Sequence, residues 1–407
     1  MQINIKNYYN LQLLLIFSFI LRVIATYYYG DNKLAYEWSI LFNNLYNSGT
    51  LAMHSFDGEL VPSVYMPPLY VFFIFLIKHI TPENVELVTA TLAIQIIFST
   101  ITVYLFYKLN NFFFTKNFSI FNSLIFSIFP LNLYTAFQIS SACLQTFFLI
   151  AYLYLLFSLS RLKSFNILII FYFALTSALL ILLRGEFYFI FIVSLIYLFI
   201  LKKINLTKLI AILLISLIII SPYLVRNYLA YNKITITKSL GYNLWKGNNL
   251  FSKIEGSESK EAFEHNDIYK KIEKIPKNNL YDFYYNDLFF KEGLAYITNN
   301  PLVFVERYIK KALSFQFFNT NSDYPNYYHP LFILPSVLTG VFSFFGIFLS
   351  LKSFNYEKGY LLLYLILMIA IFSVFFILPR YKMVILPVQL IFMNYFLLEF
   401  YKKFINK

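Results

Sequence analysis

The chain has 407 residues, of which 59% are hydrophobic and only 13% are charged, whereas soluble domains carry roughly 25% charged residues. Apolar stretches of about 20 residues, long enough to cross ~30 Å of hydrocarbon, recur along most of it. The composition therefore excludes a soluble protein and predicts a polytopic membrane protein, all-α in fold class. The net charge of +13 comes mainly from lysines at the ends of these stretches, where positive charge orients helices, so no nucleic-acid partner is predicted. A single cysteine excludes an internal disulfide and a cysteine-based metal site.

Hydropathy predicts about ten transmembrane helices, and the first is expected to be a retained anchor because no small-residue cleavage site follows it. The predicted spans are 9–29, 88–107, 117–135, 142–160, 165–183, 187–202, 208–225, 330–351, 359–378 and 383–401. The apolar segment 68–80 is only about 13 residues long, which is typical of a re-entrant or interfacial helix.

The distribution of lysine and arginine predicts the orientation of these spans. Basic connectors belong in the cytoplasm, and they all fall there only if the N-terminus is inside and 68–80 does not cross. These connectors are 108–116, 161–163, 202–208, 352–358 and 402–407. This topology places the loops 30–87 and 226–329 on the outer face, together with the turns at 136–141, 184–186 and 379–382.

The chain is thus predicted to have three parts. They are an N-terminal transmembrane catalytic module (1–225, including the loop 30–87), an outer-face region (226–329) and C-terminal transmembrane helices (330–407). Within the outer region, 253–277 is predicted to form a surface helix with loose flanks. Residues 288–318 show helical apolar spacing, with Pro301 as a helix start, and predict amphipathic helices on the membrane surface.

Two carboxylates follow the first span, at the boundary between membrane and water. Asp31 and Glu37 straddle the start of a helix predicted over 33–46. Asp31 has two interpretations: an N-cap for that helix, which Gly-Asp-Asn suits, or a catalytic carboxylate. Glu37 could likewise either act in catalysis or face solvent.

Several cations lie at outer turns, where positive-inside orientation would not put them. They are Arg184, Arg226, Arg380 and Lys382. Guanidinium groups at an interface suit a phosphate, because their planar donors pair with two oxygens at once. Arg22 lies inside the first span, where a charge costs roughly 2.5–3.5 kcal/mol; it should face a cavity or partner, or else snorkel to the helix end.

No cofactor site is indicated by the sequence. The four histidines lack ligand spacing, so no metal is predicted, although a divalent ion held by Asp31 or Glu37 with His54 is left open. The chain has no phosphate-binding loop, nucleotide fingerprint or serine elbow, which argues against nucleotide-driven chemistry.

Motifs in a fixed order along the chain carry a family resemblance. They are Gly30-Asp31-x6-Trp38, Tyr65-Met-Pro-Pro-Leu-Tyr70, Pro222-Tyr-Leu-Val-Arg226-Asn227-Tyr228, Gly241-Tyr-Asn243-Leu-Trp245-Lys-Gly247-Asn248-Asn249 and Arg380-Tyr381-Lys382. In these the chain resembles the GT-C glycosyltransferases, specifically the bacterial relatives of glycosyltransferase family 39. That group includes protein O-mannosyltransferases and the aminoarabinose transferase of lipid A.

The resemblance implies inverting transfer of a sugar from a polyprenyl-phosphate-linked donor to an acceptor hydroxyl or phosphate. The acceptor would be a glycan, lipid or protein, and the reaction would occur on the outer face of the cytoplasmic membrane. Asp31 would be the base, with Glu37 as second choice, and Arg226, Arg380, Arg184 and Lys382 would hold the donor phosphate. The substrate-binding residues would be Arg22, Trp38, Tyr65, Tyr70, Asn243, Trp245 and Asn248. This chain has Ser140 and Ser141 where many relatives carry a second acid, which argues against a two-carboxylate mechanism.

Two alternatives remain open from the sequence. One is a polymerase or ligase acting on polyprenyl-diphosphate-linked oligosaccharides, which would also need many spans and a large outer loop with arginines. The other is a non-enzymatic glycolipid transporter or flippase, although the paired halves typical of transporters are not evident.

Overall fold

The computed structural model describes residues 5–161, 166–256, 259–319 and 329–405, and it is 76% helical. Parts of two predicted basic connectors, Lys163 and the Lys407 end of the tail, lie outside the described residues.

The helices in chain order include both long apolar and short surface elements. They are α1 (Ile5–Tyr29), α2 (Tyr36–Ser48), α3 (Leu69–Ile80), α4 (Leu87–Asn110), α5 (Lys116–Ile128), α6 (Pro130–Phe137), α7 (Ala142–Arg161), α8 (Ile167–Leu183), α9 (Phe187–Ile200), α10 (Leu206–Tyr231), α11 (Leu240–Gly247), α12 (Lys260–Glu264), α13 (Ile268–Glu273), α14 (Tyr281–Asn299), α15 (Pro301–Gln316), α16 (Pro330–Leu351), α17 (Tyr356–Val374) and α18 (Leu386–Ile405). Short 3₁₀ helices cover His265–Asp267 and Pro379–Val384.

The long helices confirm a multi-pass membrane architecture. Within the described residues six helices are long and apolar enough to cross a membrane: α1, α4, α7, α10, α16 and α17. The pair α5 and α6 is bent by 57° at Phe129 and forms a seventh candidate. The remaining predicted spans match α8 and α9, which are only 17 and 14 residues long, and α18. The count of ten therefore stays a prediction.

Shorter elements of the loop 30–87 correct two expectations. The fold is not entirely helical, because β1 (Ala52–Phe56) and β2 (Glu59–Pro62) form an antiparallel hairpin. Its turn residues Asp57 and Gly58 have φ of 51° and 85°, the conformation for which Asp-Gly is favoured in hairpins. The helix predicted over 33–46 begins later, at Tyr36, and its N-cap is Ala35. The N-cap interpretation of Asp31 is therefore wrong.

The described part of the region 226–329, which was predicted to lie on the outer face, is mainly helical. The predicted surface helix over 253–277 is divided into the short α12 and α13. Pro301 begins α15, as predicted, because its fixed φ and missing N–H suit the first helical position. One face of α15 exposes Leu302, Val305 and Ile309, so the helix is amphipathic.

Helix α7 connects the two ends of the bundle. About 72% of its span is buried, the highest share among the six long helices, and it packs against α4 and α8. Its 20 residues correspond to about 30 Å of helix. Its N-terminus follows the turn that contacts Asp31, and its C-terminal Arg161 lies at the opposite end.

Candidate active site

Asp31 is held against the turn that precedes α7. Its backbone N–H donates to the Phe137 carbonyl at 3.1 Å, and its Oδ2 accepts from the Ile139 N–H at 2.7 Å. The side chain is half-buried, and no lysine or arginine in the described part of the chain pairs with it. A carboxylate has about four lone-pair sites, so this single bond orients the group and leaves acceptor capacity for a proton.

Glu37 is placed differently. It lies in the first turn of α2 and is exposed to solvent, where a negative charge is favoured by the helix dipole. The two predicted carboxylates therefore differ in surroundings, because only Asp31 is anchored to a second segment of the chain.

Two aromatic residues of the predicted substrate set lie beneath the same turn. Trp38 and Tyr70 are buried, with ring centroids 4.8 Å apart in an edge-to-face arrangement. The Tyr70 hydroxyl donates to Gln95 Oε1 at 2.8 Å, and Gln95 Nε2 donates to the Gln138 carbonyl at 2.9 Å. These residues thus position the turn next to Asp31.

Cations from three separated segments surround one aromatic cluster, which consists of Phe372, Phe376 and Tyr381. The Arg184 guanidinium lies 4.5 Å from the Tyr381 ring and 5.3 Å from Phe372. Arg380 lies 6.0 Å from Tyr381, and Lys246 Nζ lies 4.0 Å from Phe376. We call Arg184, Arg380 and Lys246 the cation group; an anion brought to it would meet three positive charges.

The cation group lies at the same end of the bundle as Asp31. Arg184 Nη1 donates to Gln145 Oε1 at 2.9 Å, and Gln145 follows Ile139, the partner of Asp31, by only six residues. The segment 139–145 is thus contacted by the carboxylate at one end and by Arg184 at the other. Arg184 also has an ion pair with Glu186, but at 3.6 Å.

Arg226 contacts other parts of the protein. Its guanidinium donates to the carbonyls of Leu51 and Ser63, each at 3.0 Å, to Asn227 Oδ1 at 2.8 Å and to the Tyr231 hydroxyl at 3.1 Å. These contacts fasten the base of the β1–β2 hairpin to α10.

Lys382 also points into the protein. It is only 6% exposed and donates to the Phe317 carbonyl. Burial lowers the pKa of Lys382 to about 7, with Glu255 opposing the shift. Both residues line a cavity of about 20 Å³ with Ser314, room for about one water molecule.

The motif around α11 is built for close packing. A Cβ on Gly241 would lie 2.0 Å from the Asn286 carbonyl oxygen, and one on Gly247 would lie 2.5 Å from the Phe375 carbonyl carbon. Trp245 is 3% exposed and packs on Phe263 and Phe289.

Two asparagines tie α11 to the segment that carries Phe376. Asn248 Nδ2 donates to the carbonyls of Leu244 and Val374, both at 2.8 Å, while the Asn243 carbonyl accepts from the Phe376 N–H at 3.3 Å. The motif therefore sets the position of Lys246 over Phe376. The sequence analysis did not single out Lys246 as a site residue.

Tyr65 lies between the hairpin and α11. Its ring is 6.2 Å from Tyr242 and 6.3 Å from Tyr285, and its carbonyl accepts from the Thr237 hydroxyl at 3.0 Å. Lys246 lies 5.8 Å from the same Tyr242 ring, so Tyr65 is a neighbour of the cation group.

Arg22 is completely buried in the bundle, and the snorkelling interpretation is wrong. Its Nε donates to Ser99 Oγ at 2.6 Å and its Nη1 to Ser18 Oγ at 2.5 Å, with Ser127 Oγ at 3.4 Å. Its partners are hydroxyl groups from α1, α4 and α5 and the Ser18 carbonyl, which accepts from Nη1 at 3.0 Å.

A histidine–aspartate pair that the sequence analysis missed holds the hairpin to α14. The buried Asp282 accepts from the Ser63 hydroxyl at 2.7 Å and lies 3.6 Å from His54 Nε2. Burial lowers the pKa of His54, and the Asp282 charge opposes that shift. The Asp-Gly turn could have revealed this hairpin. Within the described ranges, no three His, Cys, Asp or Glu side chains converge as metal ligands.

Comparison with known proteins identifies the fold. No family model and no curated protein sequence matches the chain. Among solved structures, it is similar to the oligosaccharyltransferase AglB from Archaeoglobus fulgidus in complex with an inhibitory peptide and a dolichol-phosphate. That match has 15% identity and a TM-score of 0.57, and it covers 98% of this chain but 51% of the archaeal one.

Two further solved structures are similar to the chain. The Archaeoglobus fulgidus enzyme tethered to an acceptor peptide matches with a TM-score of 0.58 at 14% identity, covering 97% of this chain and 50% of that one. ArnT from Cupriavidus metallidurans bound to undecaprenyl phosphate matches with a TM-score of 0.43 at 9% identity, covering 95% and 77%, too low for a structural argument. The chain thus spans about half the length of the oligosaccharyltransferases whose fold it shares.

Proposed function

We propose, from the premise that this chain has the GT-C glycosyltransferase fold, that it is a membrane glycosyltransferase. The donor would be a sugar linked to a polyprenyl phosphate, and the acceptor a hydroxyl or phosphate of a glycan, lipid or protein. The observation that carries this proposal is the convergence of Arg184, Arg380 and Lys246 around the aromatic cluster of Phe372, Phe376 and Tyr381, at the end of the bundle that also holds Asp31.

The proposed reaction is a single inverting displacement. The acceptor oxygen attacks the anomeric carbon, its proton passes to Asp31, and the bond from the anomeric carbon to the phosphate oxygen breaks with its electron pair. The leaving lipid phosphate gains negative charge as this bond breaks, and preorganised cations stabilise such charge most in the transition state. Asp31 is suited to accept the proton because one oxygen is fixed by the Ile139 N–H.

The proposal divides the predicted cations into two groups. Arg184 and Arg380, with Lys246, would contact the donor phosphate. Arg226 and Lys382 would position the hairpin and the 3₁₀ segment through their hydrogen bonds to backbone carbonyls. Trp38, Tyr70, Trp245 and Asn248 are buried and would be positioning residues. Tyr65 and Asn243 would lie closer to the substrate.

The proposed topology has ten crossings in the cytoplasmic membrane, with the site on the outer, periplasmic or extracellular, face. The ten would be the six long helices, the bent pair α5–α6, and α8, α9 and α18. Alternation along this series brings the C-termini of α1, α6 and α8 to the same side as the N-terminus of α7. This agrees with the contacts of Asp31 and Arg184 with the segment 139–145.

A second candidate function is transfer of an oligosaccharide from a lipid-linked donor. The similarity to an oligosaccharyltransferase with a TM-score of 0.57 favours it, and the same cations could hold a diphosphate. A larger donor would need a larger open surface around the cation group.

A donor comparison tests the proposal. Purified protein would be given a membrane-envelope extract as acceptor, with either a radiolabelled polyprenyl-phosphate monosaccharide or a polyprenyl-diphosphate oligosaccharide. We expect label transfer from the first donor, and transfer from the second donor alone would favour oligosaccharide transfer. Mass spectrometry of envelope glycans from cells with and without the protein would identify the acceptor and the added mass.

Variants of the cation group test its assigned role. Arg184→Gln and Arg380→Gln should each lower kcat/KM for the donor by about 10- to 100-fold, since hydrogen bonds to charged groups contribute roughly 1.5–3 kcal/mol. Arg161→Gln is the matched control, because Arg161 pairs with Glu357 at the opposite end of α7. Equal effects of all three variants would count against the site.

A further inference from the structure

A second cavity lies at the end of the bundle opposite the candidate active site. Its volume is about 240 Å³, many times the about 10–15 Å³ that one water molecule requires. It is bounded by the segment that follows α4, by the C-terminal ends of α16 and α18 and by the N-terminal end of α17. Its polar lining comes from Ser353, Asn355, Lys358, Glu399 and Lys402, and its apolar lining is aromatic and leucine side chains.

The lining carries an excess positive charge, because it contains two lysines and one glutamate. Lys402 Nζ pairs with Glu399 at 2.7 Å. Lys358 is 8% exposed, and its Nζ donates to the Ser353 carbonyl and hydroxyl at 2.5 and 2.6 Å. No carboxylate in the described ranges forms an ion pair with Lys358. Its neighbour Glu357 is bound to Arg161 instead. An anion in the cavity would balance this charge.

The start of α17 adds a second contribution of the same sign. Asn355 caps this 19-residue helix by accepting from the Lys358 N–H at 2.9 Å. Free N–H groups and the helix dipole at such a terminus favour an anion, and Asn355 and Lys358 both line the cavity. The charge of Lys358 and the N-terminus of α17 therefore both favour an anion in this cavity.

Exposed apolar side chains follow directly on the lining residues in the chain. Phe354 is 58% exposed and adjoins Ser353, while Phe400 is 53% exposed and lies two residues before Lys402. Leu351 is also exposed at the end of α16. A free phosphate ion would match the charge of the cavity but would not account for this apolar surround, whereas acyl chains would cover it.

We propose that this cavity binds the phosphodiester group of an anionic phospholipid from the adjacent membrane leaflet. Lys358 and Lys402 bind the phosphate, and the acyl chains lie over Leu351, Phe354 and Phe400. Basic pockets between transmembrane helices are a known means of holding anionic head groups. The proposal is independent of the glycosyltransferase proposal, because it involves none of the residues placed in the candidate active site.

The test is native mass spectrometry of the full-length, delipidated protein titrated with phosphatidylglycerol and, separately, with zwitterionic phosphatidylcholine. We expect tighter binding of phosphatidylglycerol. Lys402→Gln should weaken that binding by about fivefold, the size expected for one lysine near a lipid phosphate. Glu399→Gln should strengthen it, because it removes a negative charge from the lining of the cavity.

Lys403→Gln is the matched control, since Lys403 is exposed next to Lys402 but does not line the cavity. The melting temperature of each lipid-free variant checks that the fold is intact, and Lys402 is suited to this because its pair with Glu399 is exposed. Equal binding of the two lipids, or equal effects of Lys402→Gln and Lys403→Gln, would overturn the proposal. Competition by millimolar inorganic phosphate to the same extent as by lipid would show a free-phosphate site instead.

Discussion

The two carboxylates near the end of α1 differ in their anchoring, and this difference predicts which one acts as the base. Asp31 accepts from the Ile139 N–H at 2.7 Å. An asparagine can accept the same bond through its side-chain oxygen but cannot take a proton from the acceptor. Asp31→Asn should therefore lower the rate of sugar transfer by about 10²- to 10⁴-fold with little change in melting temperature. A single-turnover transfer assay measures this.

Glu37→Gln is the control for that experiment. Glu37 is exposed in the first turn of α2, so its loss should leave the transfer rate within about twofold of wild type, as for most surface changes. An active Asp31→Asn protein together with an inactive Glu37→Gln protein would assign the base to Glu37.

A buried lysine of α15 predicts a pH dependence of stability. Lys311 is fully buried and donates to the Gly247 carbonyl at 2.8 Å, and burial lowers the pKa of Lys311 to about 7. Between about pH 7 and pH 10 the unfolded chain binds more protons at this residue than the folded one, so the free energy of unfolding rises with pH. The melting temperature of wild type should rise over this range, and that of Lys311→Met should rise less, by several degrees.

Lys310 provides the control for that measurement. It is exposed and pairs with Glu306 on the surface of α15, so Lys310→Met should keep the pH dependence of wild type. Parallel pH profiles for wild type and Lys311→Met would contradict the role of the buried ammonium group.

Helix α11 shows how one short element can determine the position of the cation group. Gly241 packs so closely that a Cβ would lie 2.0 Å from the Asn286 carbonyl oxygen. Gly241→Ala should force α11 away from α14 and destabilise the protein by about 1–3 kcal/mol. Because α11 also carries Lys246, the KM for the donor should rise. Thermal unfolding and steady-state kinetics measure the two effects.

Gly185→Ala is the matched substitution. A Cβ at Gly185 would meet only the Thr237 methyl group, at 3.7 Å, an ordinary contact, so the melting temperature should stay near wild type. A loss of stability at Gly185 as large as at Gly241 would mean that close packing of α11 is not the cause.

The elements differ in how far they could be predicted from sequence. The apolar spans and the start of α15 at Pro301 follow from hydropathy and local backbone chemistry, which neighbouring residues determine. The β1–β2 hairpin had a local signal in Asp57-Gly58 that was overlooked. The convergence of Arg184, Arg380 and Lys246 has no local sequence signal, because it depends on packing between segments far apart in the chain. The close packing of Gly241 and Gly247 likewise could not be predicted, because it depends on contacts with α14 and with Phe375.

At the scale of the whole molecule, contacts at the two ends of the bundle constrain the topology. Asp31, Arg184 and Tyr381 meet at one end, while Arg161 joins Glu357 and the Phe112 carbonyl at the other. In the proposed topology, with ten crossings and the N-terminus inside, the first end would be outside and the second cytoplasmic. Residues that meet at the same end, such as Asp31 and Arg184, must be separated by an even number of crossings. An odd number would put them on opposite sides of the membrane.

Cysteine labelling in intact cells tests this arrangement. Cys143, the single cysteine, is 1% exposed, so the wild-type protein should stay unlabelled by a membrane-impermeant maleimide and serve as the background. Glu59→Cys, on the exposed end of the hairpin, should be labelled in intact cells. Tyr356→Cys, exposed at the start of α17, should be labelled only after permeabilisation. Labelling of both positions from the same side would rule out the ten-crossing topology, and labelling of Tyr356→Cys alone would place Asp31 and the cation group in the cytoplasm, where an outer-face transfer reaction could not occur.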